Sequence, residues 1–331
     1  MKPDYLWDGS GEPDPEVERL ERLLGTLRSR RPAPEFPVHE EPSARSFQAR
    51  WLAVAASVLV VAGAGWVMRA GHAAGGWQVA RVAGAPRIGS ERIGESGRLQ
   101  IGEWLETDAT ARARVAVGEI GELDVGPNTR MRLVKSRASE HRMAMLHGEI
   151  HALIWAPPRR FYVDTPSAVA IDLGCSYKLK VNDRGEGLLA VDNGWVAFEK
   201  DGRESFIPTG AACRTRPVVG PGTPYFETAS AALQAALERF DFAAGGRAAL
   251  EIVLAQARKE DAFTLWHLLS RAGPPDRAAV YERLAAFSPP PKGVTREGIL
   301  AGDRQMLDLW WNALGLENAN WWRIWERPYR D

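Results

Sequence analysis

The chain has 331 residues, with 42 Lys and Arg balanced by 42 Asp and Glu, and only 2 Cys. Its 45% hydrophobic and 25% charged fractions exclude wholesale disorder, and so few cysteines exclude a disulfide-dense mini-scaffold or a Cys-rich zinc protein. A net charge of zero argues against a nucleic-acid binder. The length suggests two or more domains, and the reading that follows is a multidomain α+β chain of four unlike parts.

Residues 1–48 read as a cytoplasmic helix followed by a linker. Asp14-Pro15-Glu16 is a helix start: an Asp cap, Pro at the first helical position and an acid in the first turn. Val17, Leu20, Leu24 and Leu27 then recur at three- and four-residue spacing, while Glu16, Glu18, Arg19, Glu21 and Arg22 occupy the other faces. A helix of about 15 residues is marginal alone in water, so this stripe needs a partner, another copy of itself or the membrane surface, and the functional reading is a docking helix for a cytosolic protein. Residues 31–46 are Pro-rich and read as an extended linker.

Residues 49–70 read as a single transmembrane helix. From Trp51 to Met68 the chain carries no charge and one hydroxyl, Ser57, and Arg50 and Arg69 bracket the run. About 20 residues cover the roughly 30 Å hydrocarbon core. A signal peptide would place its apolar run near the start of the chain, whereas here a long polar segment precedes it. Arg28, Arg30, Arg31, Arg45 and Arg50 on one side outnumber Arg69, Arg81 and Arg87 on the other. This bias places the N-terminus in the cytoplasm and the bulk of the chain in the periplasm of a bacterial inner membrane.

Residues 77–220 change period. Short segments such as 111–117, 121–125, 129–134, 160–165, 176–181 and 194–199 are rich in apolar and β-branched residues, and Gly, Asn, Asp and Pro punctuate them. The pattern predicts an all-β domain, a short-strand solenoid or a sandwich. Residues 226–331 are helical, with Asp261, Asp276 and Asp303 as candidate caps and Pro- or Gly-rich breaks between segments, and predict an α-helical bundle.

Several short elements, in order over residues 77–216, resemble the FecR domain. They include Leu99 to Thr107, then Leu123-Asp124-Val125-Gly126-Pro127-Asn128-Thr129, and Leu146-His147-Gly148-Glu149-Ile150. Phe161 to Pro166, Val191 to Val196, and Pro208-Thr209-Gly210 complete the series. The resemblance implies a single-pass regulator that relays an extracytoplasmic signal to a cytoplasmic extracytoplasmic-function sigma factor by protein–protein contacts. A periplasmic or outer-membrane protein would supply that signal. The alternative is an envelope structural or binding module, for protein or glycan, with no transcriptional output. One departure is Gly174-Cys175-Ser176-Tyr177, where the family has a Gly-Thr element.

Cys175 and Cys213 lie 38 residues apart, both on the side expected to be oxidising, and are expected to form a disulfide. Trp310, Trp311, Trp321, Trp322 and Trp325 crowd the C-terminus, as core or as a partner or membrane-interface patch. No enzymatic activity, cofactor or metal is expected. His147 and His151 are four residues apart in strand-like sequence, about 13 Å along a strand, too far to share one ion unaided. The phosphate-binding, nucleophile-elbow and dinucleotide motifs are missing.

Overall fold

The computed structural model describes residues 15–25 and 76–316. They belong to two compact units, which divide between Arg69 and Ala70. In the first, Pro15–Gly25 forms helix α1, with Glu16 and Glu18 in the first turn and Arg22 in the last. Those charges complement the helix dipole.

The second unit begins with eighteen strands. Gly76–Ala83 (β1), Arg87–Ile88 (β2), Glu91–Arg92 (β3), Ser96–Gln100 (β4), Trp104–Glu106 (β5), Arg112–Val117 (β6), Gly121–Val125 (β7) and Arg130–Arg137 (β8) lead to the 15-residue strand Glu140–Ile154 (β9). Phe161–Asp164 (β10), Val169–Asp172 (β11), Ser176–Val181 (β12), Gly187–Asn193 (β13), Trp195–Lys200 (β14), Arg203–Pro208 (β15), Ala211–Arg216 (β16), Gly220–Pro221 (β17) and Tyr225–Phe226 (β18) follow.

Strand β9 organises the layers. Its second half, from Gly148, pairs with β7 and β12 in one layer, ordered β4-β1-β6-β7-β9-β12-β13-β16. Its first half pairs with β8 and, in parallel, with β10 in the other, ordered β3-β2-β5-β8-β9-β10-β11-β14-β15. The strand passes between layers at Gly148, whose φ is +111°. A Cβ there would lie 2.3 Å from Thr129 Cα, so only glycine fits. Thr129 secures the bend: its Oγ1 accepts from the Glu149 N–H at 3.0 Å and donates to Gly126 O at 2.9 Å.

The strands alternate as half-buried strands should. In β6, Ala113, Val115 and Val117 point inward while Arg112, Arg114 and Ala116 face out. Trp77 from one layer meets Phe161 from the other with ring centroids 6.2 Å apart.

Helices Ala231–Phe242 (α2), Gly246–Gln256 (α3), Ala262–Arg271 (α4), Pro274–Phe287 (α5), Arg296–Ala301 (α6) and Arg304–Ala313 (α7) follow. Ser230 caps α2, Thr295 caps α6 and Asp303 caps α7 with their side chains. Helix α4 covers the open edge of β15. The Phe206 N–H donates to His267 Nε2 at 3.0 Å, and Arg271 Nη2 donates to Glu204 O at 2.9 Å. An exposed edge would otherwise present unpaired backbone groups. Arg271 also donates to Thr223 Oγ1 and Ser205 Oγ, both at 2.7 Å, so three oxygens hold its half-buried guanidinium.

Two features of the expected fold are corrected. The β region is neither a solenoid nor an independent all-β layer pair beside a separate bundle. Its strands join into one large mixed sheet, and the helices share one contiguous hydrophobic core with it, from Trp77 through Phe206 to Trp311. The reason is the β15 edge and the aromatic side chains beside it, which the helices must cover. The single transmembrane helix is not found: among the described residues, no helix is long and apolar enough to cross a membrane. The described N-terminal helix has 11 residues, about 16 Å long, half the span required. The apolar run 51–68 lies outside the described residues.

Candidate functional site

Helix α1 keeps its apolar stripe open. None of its residues is buried, and Leu20, Leu23 and Leu24 are 56%, 61% and 59% exposed. Val17 is half-buried on the same stripe, and Leu27 lies outside the described residues. Leu23 was missing from the expected set. At 100° per residue it falls on the flank of Leu20 and Leu24, so the helical period alone could have found it.

The cysteines do not pair. Both are free, buried thiols. Cys213 lies opposite Leu189 in β13, and Leu189 lies opposite Leu179 in β12, four residues beyond Cys175. Two strand spacings and four residues of offset put the cysteines about 16 Å apart, against the roughly 7 Å limit for a disulfide. This corrects the expected disulfide.

Each thiol has its own surroundings. Cys213 Sγ donates to Gly222 O at 3.2 Å, and burial pushes its pKa up to about 12. Cys175 Sγ donates to Asp172 Oδ2 at 2.7 Å, and burial, then the neighbouring carboxylate, pushes its pKa well up. Asp172 is 1% exposed and also accepts from the Gly174 N–H at 2.7 Å. Burial raises its carboxyl to about 7, against the lowering effect of these hydrogen bonds. The Tyr177 hydroxyl is buried nearby and has no hydrogen-bond partner among the described residues. High thiol pKa values make these cysteines poor nucleophiles.

The tryptophans Trp310 and Trp311 are core, which corrects the surface-patch reading for that pair. Trp310 is fully buried and donates to Ser288 O at 3.1 Å. Trp311 packs edge-on against Trp266 at 4.6 Å and against Trp195 at 6.0 Å. Trp321, Trp322 and Trp325 lie outside the described residues.

His147 and His151 fall in different surroundings. His147 Nδ1 lies 3.0 Å from Asn128 O, in the half of β9 that precedes the bend. His151, beyond it, has Nε2 3.1 Å from both Ser176 Oγ and Asp192 Oδ2. Among the described residues, no group of three or more His, Cys, Asp or Glu could hold a metal ion.

The outer face of the layer holding β7, β9 and β12 carries a feature that the sequence reading missed. Along β9, Ile150, Ala152 and Ile154 point in, while His151 and Leu153, with Trp155 just beyond, point out. Trp155 is 62% exposed, and its Nε1 donates to Glu119 O at 3.0 Å. Leu153, 44% exposed, sits between Glu122 of β7 and Ser176 of β12. The neighbouring charges are paired: Arg114 with Asp124 at 2.8 Å, and Lys178 with Asp192 and Lys180 with Glu149, both at 3.2 Å. The alternation across 150–155 was the available signal.

No protein-family model and no curated protein matches this chain. Among solved structures, it is similar to two crystal structures, at 1.65 and 2.50 Å, of a candidate anti-sigma factor from Parabacteroides distasonis ATCC 8503. Each likeness has 17% identity and a TM-score of 0.34 and covers 40% of this chain. It spans 62% and 63% of those chains, less than two thirds of their length.

Proposed function

We propose that this chain is a regulator whose output is a protein–protein contact made by α1, and that the partner is an extracytoplasmic-function sigma factor. The observation that carries this reading is the stripe of Val17, Leu20 and Leu24, in which Leu20 and Leu24 are more than half exposed. An 11-residue helix gains little from propensity alone, so its apolar side chains are most useful when docked in a partner's groove. Apolar residues at helical spacing, with Glu16, Glu18, Arg19 and Arg22 around them, are what a helix-in-groove contact requires. The ordered FecR-like elements of residues 77–216 supply the partner class.

The test uses the full chain. Leu20→Glu combined with Leu24→Glu places two charges in the docking stripe. Co-purification with the extracytoplasmic-function sigma factors of the source organism should recover one of them with the native chain and lose it with the double variant. Recovery of none, or equal recovery with both chains, rejects the reading.

A further inference from the structure

We propose that the outer sheet face around Trp155 binds an uncharged glycan. A large aromatic side chain that is 62% exposed gains little from burial within the chain, yet here it is held in place rather than left to rotate. Its one polar atom, Nε1, is committed to Glu119 O at 3.0 Å. The indole therefore offers a ligand its ring surface alone. The negative face of an aromatic ring attracts the weakly positive C–H groups that one side of a pyranose presents.

The surrounding side chains suit the hydroxyls of such a ligand. Leu153 extends the apolar strip, with Glu122 on one flank and Ser176 on the other. His151, Lys178 and Asp192 stand one row further along, joined by contacts of 3.1 and 3.2 Å. This set both donates and accepts hydrogen bonds, and it sits on paired strands rather than on a loop, so it is already organised for binding.

The charge pattern argues against other occupants. The face has no field to attract a polyanion or an anionic membrane, because Arg114, Lys178 and Lys180 each lie against a carboxylate and Glu119 and Glu122 beside the strip add acidic charge. A standard protein interface draws roughly 20–30 residues from each side around an apolar centre. Leu153 and Trp155, set among paired charges, provide too little apolar area for that. A neutral, hydroxyl-rich chain laid along β9 fits the strip and can hydrogen-bond to Glu122 and Ser176 on its flanks.

The experiment titrates the full chain with cellohexaose, maltohexaose and the N-acetylglucosamine hexamer, each up to its solubility limit, and follows binding by calorimetry. Heparin serves as the polyanion probe. Native chain should bind at least one neutral hexamer, and Trp155→Ala should weaken that binding roughly tenfold or more. Trp155→Phe, which keeps a ring, should restore part of the loss. The melting temperature of Trp155→Ala should match the native value, showing an intact fold. Binding of none of the three hexamers, binding of heparin alone, or unchanged affinity in Trp155→Ala overturns the proposal.

Discussion

Helices α1 and α7 carry the same apolar spacing and meet opposite fates. Leu20, Leu23 and Leu24 in α1 and Leu307, Trp310 and Trp311 in α7 both fall at i, i+3 and i+4. The first three are more than half exposed, whereas the second three are 7%, 0% and 3% exposed. Periodicity therefore states that a helix needs a cover without saying whether the cover is in the same chain. In α7 the cover is visible, since Trp195, Phe206 and Trp266 surround Trp311. For α1, Leu20 and Leu24 stay more than half exposed, and the cover proposed is another protein.

The sharpest test of that contrast is truncation on the buried side. Trp310→Ala removes a fully buried ring and its bond to Ser288 O, and should cost about 3–5 kcal/mol. Urea unfolding followed by circular dichroism reads this directly, and a loss below about 1 kcal/mol would mean that α7 is not part of the core.

Next comes the bend that lets β9 serve both layers. Gly148→Ala asks an L side chain to adopt φ +111° with Thr129 Cα at 2.3 Å from its Cβ, and should destabilise by at least about 2 kcal/mol in the same assay. A neutral result would show that β9 can pass between layers without a special residue.

Per pH unit, Asp172 gives a smaller effect with a definite sign. Its folded-state carboxyl is raised to about 7 from an ordinary 3.8, so the folded protein binds the extra proton in between. The neutral form is therefore the favoured one. Its contribution is fully present below about pH 4 and is lost as pH rises to about 7 and beyond, by at most about 1.4 kcal/mol per pH unit. Asp172→Asn should flatten that component of a stability–pH profile, and an unchanged slope between pH 4 and 7 would contradict the assignment.

The smallest stability effect is expected in α1. Leu20→Glu with Leu24→Glu alters side chains that are already exposed, so unfolding of the sheet and its helices should move by no more than about 0.5 kcal/mol.

Individual strands were readable from sequence while the architecture was not, and the failures have local causes. Alternation marked β6, β10 and β12, because each has one face in the core, whereas in β14 the consecutive residues Val196, Ala197 and Phe198 are all buried. Alternation cannot report which strands become neighbours, so the double membership of β9 and its parallel pairing with β10 were invisible. The cysteines were misread for the same reason: sequence distance says nothing of the intervening β13 or of the register that carries Cys213 toward Leu179. Trp310 and Trp311 read as core, with a surface patch as the alternative, until β15 and α4 were in place around them. At the candidate sites, the stripe of α1 was legible apart from Leu23. Trp155 was overlooked because the alternation across 150–155 marks it as outward without showing that Glu119 holds its indole in place.

The central claim is that the open stripe of α1 is a binding surface for a sigma factor, and affinity measured with matched full-length chains tests it most directly. Titrating the sigma factor recovered with the native chain against the native and the Leu20→Glu, Leu24→Glu chains, at matched salt, should give binding that the double variant weakens at least roughly tenfold. The two chains should unfold at the same urea midpoint. Equal affinity for both chains, or no sigma factor bound by the native chain, would contradict the account.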